Sequence, residues 1–211
     1  MILALVVGPR TPASADTLIG RTAAVLVGRL PLFASDGLDQ YGVALVTRWP
    51  VDGPYPRTGR RGRPRHPAQL AHPERRYVQL VKQREGRRLV SVSRRVIHGH
   101  PADIDPGQST TSLVERLNLT LRQANAPLAR KTLAFAKDEG ELRAPLALQG
   151  AASHFARPHL SLRRRVSRPA PVRGKTRRRW AKRTPAMAAG ITDRVGSLHE
   201  LLKYRAAKHV K

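Results

Sequence analysis

The chain of 211 residues contains no cysteine, which excludes a disulfide framework, a thiol nucleophile and a cysteine-based zinc site. Reduced surroundings such as the cytoplasm fit that composition. Acidic residues are few: 14 Asp and Glu stand against 40 Lys and Arg, a net charge of +26. A body carrying so much charge of one sign repels itself until a polyanion neutralises it. Nucleic acid is the first partner to expect, because each phosphate contacted also releases counterions. An anionic membrane surface is the weaker alternative. No window reaches the ~18 apolar residues of a membrane span. The opening MILALVVG resembles a signal-peptide core, but no basic residue precedes it and the run is short, so a secretory reading is set aside. The eight histidines show no metal-ligand spacing.

What is present reads as alternating elements. Ile2 to Val7 is a continuous apolar, β-branched run closed by Gly8-Pro9, which predicts a strand buried on both faces. Pro12 to Val27 predicts a helix with Ala15, Leu18, Ile19, Thr22, Ala23 and Leu26 on one face, Asp16 in its first turn and Gly28 at its end. Leu30 to Ala34 is a second short strand. Asp36 follows it, in Ser35-Asp36-Gly37, where open α/β sheets expose their chemistry. An ordinary turn aspartate fits the same position. A helix from about Leu38 to Arg48 turns Tyr41, Ala44 and Leu45 inward.

From Trp49 to Arg76, six prolines and a crowd of arginines (Arg57, Arg60, Arg61, Arg63, Arg65, Arg75 and Arg76 among them) predict a mobile basic loop without regular structure, able to track phosphates. Tyr77 to Ile97 gives the best β-hairpin signal, two alternating runs about Glu85-Gly86, with Val78, Leu80, Val90 and Val92 on one face. His98 and His100 fall in the linker that follows.

Thr111 to Arg122 predicts an amphipathic helix with Leu113, Leu117 and Leu121 in one stripe and Val114 beside them. With Ser112 as N-cap, Glu115 falls where a capping-box glutamate would reach back to the Ser112 N–H; a functional carboxylate is the other reading. Pro127 breaks the helix before a second helical run to Lys137. Asp138 to Phe155 is helical, with Pro145 placed to distort it. Arg163 to Arg183 is a basic linker, Thr184-Pro185 a strong helix start, and Ser197 to Ala207 a last amphipathic helix. Trp49 and Trp180 lie in basic stretches, where base stacking and simple packing are both open.

The phrases SDGLDQY, VERLNLTLRQ, RPHLSLR and TPAMAAG, in that order, resemble the DDE transposases of bacterial insertion sequences, in the branch of the shortest such elements. The resemblance covers nearly the whole chain. It implies a ribonuclease-H-like mixed sheet flanked by helices, with a basic loop and hairpin inserted at about 49–97 and a basic C-terminal extension. The catalytic domain would occupy 1–160, a linker 161–183 and a helical segment 184–211. The family holds two divalent ions, normally magnesium, on three carboxylates; Asp36 matches the second aspartate and Glu115 the glutamate. Such ions activate the attacking oxygen and stabilise the leaving one in an in-line displacement at phosphorus. The first aspartate would lie on a strand before Met1, so the chain is expected to be N-terminally truncated and poorly active; Pro145 and His154 add to the drift. Arg157 and His159, in the family's RPH box, serve a helix-to-loop junction or contact the DNA backbone. Arg163, Arg164, Arg165, Arg177, Arg178 and Arg179 join the loop arginines as expected DNA contacts. DNA is the implied partner, with a homo-oligomer on it, no small-molecule substrate, and a location at the bacterial nucleoid. The alternative is a non-enzymatic basic nucleic-acid-binding protein.

Overall fold

The computed structural model describes residues 1–55, 66–129, 131–167 and 179–204. By contact the chain divides into two compact units, Leu3–Thr120 and Leu121–Lys211 with Met1–Ile2. The expected arginine contacts Arg57, Arg60, Arg61, Arg63, Arg65, Arg177 and Arg178 lie outside the described residues.

The first unit is built on α1 (Pro12–Ala23), β1 (Leu32–Asp36) and α2 (Gln40–Arg48), then a small ribbon of β2 (Pro50–Asp52) and β3 (Gln69–Ala71), the hairpin β4 (Arg76–Glu85) and β5 (Arg88–His98), and α3 (Ser112–Ala124). Helix α1 starts where Thr11 Oγ1 accepts from the Ser14 N–H, with Pro12 in the first turn. It stops at Ala23, short of the expected Val27. The three-stranded sheet runs β1-β4-β5. Strand β1 pairs parallel with β4, and β4 antiparallel with β5. A parallel pair needs a crossover, which α2 and the β2–β3 ribbon provide. Hence the hairpin expected within an insertion supplies two of the three strands. Gly86, at φ +59°, opens its turn, as a type II′ connection prefers.

Alternation along β1 and β4 sends Phe33, Ser35, Tyr77 and Gln79 to one side. There Tyr77 packs with Ala15 and Ile19 of α1 and Ala44 and Leu45 of α2, and Phe33, Tyr41, Trp49 and Ile97 close around them. The inward face predicted for α2 is the one observed. Trp49 is a packing residue, its ring 5.7 Å from that of Phe33.

Several expectations do not hold. Ile2 to Val7 forms no strand: it finds no ladder among the described residues, and Leu5 instead gives its carbonyl to Arg21 Nη1 at 2.8 Å. An apolar run sets which residues can be buried, but a strand also needs a partner for its backbone groups. Part of the predicted irregular loop is ordered, since β2 pairs antiparallel with β3. Arg75, assigned to that loop by composition, is fully buried; its Nη2 donates to the Trp49 carbonyl, while Nε and Nη1 have no partner among the described residues. Burial lowers its pKa, and burial together with the Arg75 charge lowers that of His98. His98 ends β5 rather than lying in a loop, and Gly99, at φ +90°, turns the chain so close to Arg75 that a Cβ would sit 3.1 Å from its carbonyl oxygen. Only the near half of the hairpin face is covered: Val78 and Leu80 are buried, Val90 and Val92 exposed. The leucine stripe of α3 is covered only toward its end, with Leu113 77% exposed, Leu117 half-buried and Leu121 buried.

The second unit contains α4 (Glu139–Ala151), β6 (Arg164–Arg165), β7 (Trp180–Ala181), α5 (Pro185–Ala188) and α6 (Leu198–Lys203). Among the described residues from Pro127 to Lys137, the expected helical run is reduced to a single 3-10 turn at Ala126–Leu128. Asp138 caps α4 by accepting from the Glu141 N–H, and the helix carries Pro145 in its interior before loosening into a π-turn at Ala152–Ala156. In that turn His154 Nε2 accepts from the Ile2 N–H at 2.9 Å, and burial lowers the imidazole pKa. The predicted basic linker includes the ribbon β6–β7. Thr184 caps α5 through the Met187 N–H, and Gly190 at φ +73° ends that segment, as the sequence predicts. Ser197 and Glu200 form a capping box on α6, which ends at Lys203. Among the described residues, no helix is long and apolar enough to cross a membrane.

Candidate functional site

The two candidate acids lie in the same unit. Asp36 ends β1, exposed, in register with Leu80 of β4. Lys82, two residues further along β4 and so on the same side, forms an ion pair with Glu115 of α3. Strand spacing and rise put the Asp36 and Lys82 Cα atoms about 8 Å apart. Asp36 and Lys82 thus stand on one side of the sheet, and Glu115 of α3 is tied to that side through Lys82.

Behind Asp36 runs a line of hydrogen bonds. Ser35 Oγ donates to the Asp36 carbonyl at 2.7 Å and lies 2.7 Å from the Tyr77 hydroxyl. Ser35 has one proton, so Tyr77 is the donor in that pair. Gln79 Nε2 donates in turn to the Tyr77 oxygen at 3.1 Å and to Asp39 Oδ1 at 3.4 Å. The buried Tyr77 and Gln79 thus fix the end of β1 on which Asp36 stands. Tyr41 is near as well: burial and then the Asp36 charge raise its phenol pKa, while Arg10 acts the other way.

Glu115 is not a capping-box residue for Ser112. The Thr111 carbonyl accepts from the Glu115 N–H at 2.9 Å, so the helix cap falls one residue earlier than expected. The Glu115 carboxylate instead accepts from Lys82 and from Thr111 Oγ1 at 2.8 Å. Those two hydrogen bonds, Lys82 first, hold its pKa below the usual 4.5, with the charges of Lys82 and Arg84 adding to them. A carboxylate depressed in the folded state stabilises it above the unfolded pKa, and the contribution vanishes as pH falls through the folded value. The side chain is half exposed, so the effect is small. Glu115→Gln is expected to flatten stability against pH below about pH 4.5, read from urea midpoints between pH 3 and pH 7 at about one-unit steps; an unchanged acid limb would count against the pair.

The donor set does not fit the two-magnesium centre that the resemblance implies. Among the described residues no three of His, Cys, Asp and Glu converge. Asp36 and Glu115 would be the ligands, and one of them already holds a lysine ammonium. Magnesium wants several oxygen ligands in near-octahedral array.

Arginines are exposed in both units. The outer hairpin exposes Arg84, Arg87, Arg88, Arg94 and Arg95. Sequence alone marks only a polar, basic hairpin face, and these arginines stand on both faces: Arg94 pairs with Leu80 and Arg95 with Gln79. In the second unit, Arg157 is exposed and its N–H closes the π-turn on the Ala152 carbonyl at 2.9 Å, which suits the junction reading. His159 joins the Arg183 carbonyl through its N–H at 2.9 Å and Ser161 Oγ through Nδ1 at 2.7 Å. Arg163, Arg164, Arg165 and Arg179 are all exposed at the β6–β7 ribbon. Compared with protein-family models, with curated proteins and with solved structures, the chain matches none.

Proposed function

We propose that this chain binds DNA, and that it is a relative of the insertion-sequence DDE transposases in which metal-dependent strand cleavage and transfer is impaired. The observation that carries DNA binding is the net charge of +26 on 211 residues. Phosphate contact by exposed arginines explains how such a surface is neutralised, and it carries little sequence information. The transposase reading is supported by an aspartate at the C-terminal lip of a parallel strand and a glutamate on a later helix that pairs with Lys82 of the adjoining strand. A ribonuclease-H-like arrangement of the mixed sheet is the finer form of that proposal. Magnesium is the ion such a site would take, and the two carboxylates fall short of holding a pair of ions. A homo-oligomer formed on DNA and a place at the bacterial nucleoid belong to the same reading.

The second reading, a basic nucleic-acid-binding protein without chemistry, is favoured by one observation: the Lys82 ammonium already neutralises Glu115. The two readings separate in a cleavage assay. Labelled duplex DNA incubated with the chain and magnesium or manganese is expected to stay intact. Turnover that Asp36→Asn and Glu115→Gln each abolish would establish a working metal centre and contradict the impairment.

A further inference from the structure

Trp180 is one of two tryptophans in the chain and is 42% exposed, on a two-stranded ribbon among arginines. So large an apolar side chain is ordinarily buried for most of its area. In register Trp180 faces Arg165, and alternation puts Arg163 on the same side. The Arg163 guanidinium lies 4.5 Å from the ring centroid, so it covers one face of the indole and fixes its orientation. Beside it Arg165, Val166, Ser167 and Arg179 line a cleft of about 470 Å³, within the usual range for small-ligand sites. A rigid aromatic plane next to a cationic cleft matches the two ends of a nucleotide, the base and the phosphate.

We propose that the β6–β7 ribbon binds an unpaired nucleotide, with its base stacked on Trp180 and its phosphate in the cleft beside Arg165 and Arg179. This rests on the reading that the chain binds nucleic acid, and it names the form preferred at this place. A base within a duplex offers no free π-face, so stacking rewards only single-stranded or unpaired segments. The Arg163 cation adds to the attraction, since a guanidinium stacked behind the indole holds it ready without blocking its second face.

The test is fluorescence anisotropy with the full chain, using an oligothymidine of about 15 nucleotides and a duplex of equal length at one salt concentration. Trp180→Ala is expected to lose about ten-fold in affinity for the single strand and to leave duplex binding nearly unchanged. Trp180→Phe should keep most of the single-strand affinity, which guards against a folding defect as the cause. Arg165→Gln combined with Arg179→Gln should weaken the single strand more than the duplex. If Trp180→Ala binds the single strand as the parent does, or loses equally on both probes, the ribbon proposal fails and DNA binding stands. If the parent chain binds neither probe, both fail.

Discussion

Raising the salt from about 50 to about 200 mM is expected to weaken DNA binding by roughly 10³- to 10⁵-fold. The size follows from counterion release: each phosphate neutralised adds about 0.9 to the slope of log affinity against log salt. Six to ten contacts, the number behind that range, are within easy reach of a chain with 40 Lys and Arg. The exposed hairpin offers five arginines, and the β6–β7 ribbon with its flanks four more. Removing Arg84, Arg87 and Arg88 together should lower the slope by about 3 and weaken all sequences alike, because phosphate contacts do not read bases. The measurement is a salt series of duplex affinities for parent and variant. A slope near about −1 for the parent would mean that the charge is spent on something other than phosphate.

Tyr77→Ala is expected to cost about 3–5 kcal/mol, enough to leave a marginal domain of this size largely unfolded. Tyr77 is 1% exposed and joins α1, α2 and the sheet in one core. Its hydroxyl also links Gln79 to Ser35, the residue before Asp36. Tyr77→Phe separates the two roles. It keeps the packing but leaves Ser35 Oγ and Gln79 Nε2 short of a partner, at a cost of about 1–2 kcal/mol. Urea denaturation reads both values. Equal losses for the two variants would show that the hydroxyl, and not the ring, dominates. With the fold intact, Tyr77→Phe should bind duplex DNA as the parent does.

Sequence alone marks two candidate acids, Asp36 after a short apolar run and Glu115 in a later helix; the structure ends β1 at Asp36 and pairs Glu115 with Lys82 of the neighbouring strand β4. Lys82, the partner of Glu115, is not among the residues that the sequence marks. On sequence alone it is one basic residue among 40 on an alternating strand, and nothing local says that a helix 33 positions on will meet it. The capping-box reading of Glu115 failed for a related reason. A glutamate in the first turn can reach back to its cap or outward to a neighbour, and the choice depends on whether a cation stands nearby.

Local chemistry determined much of this protein directly. Glu85-Gly86 between alternating runs made a hairpin, Thr184-Pro185 began a helix, Ala44 and Leu45 marked the inner face of α2, and the charge balance pointed to a polyanion. Tertiary structure alone decided what covers what. Ile2 to Val7 is strand-like in composition yet finds no ladder, Leu113 carries the periodicity of a core residue yet lies open, and Arg75 reads as a loop charge yet is sealed inside. Periodicity says which side of an element is apolar. Whether another element arrives to bury that side, or to accept its hydrogen bonds, depends on chain segments far away in sequence.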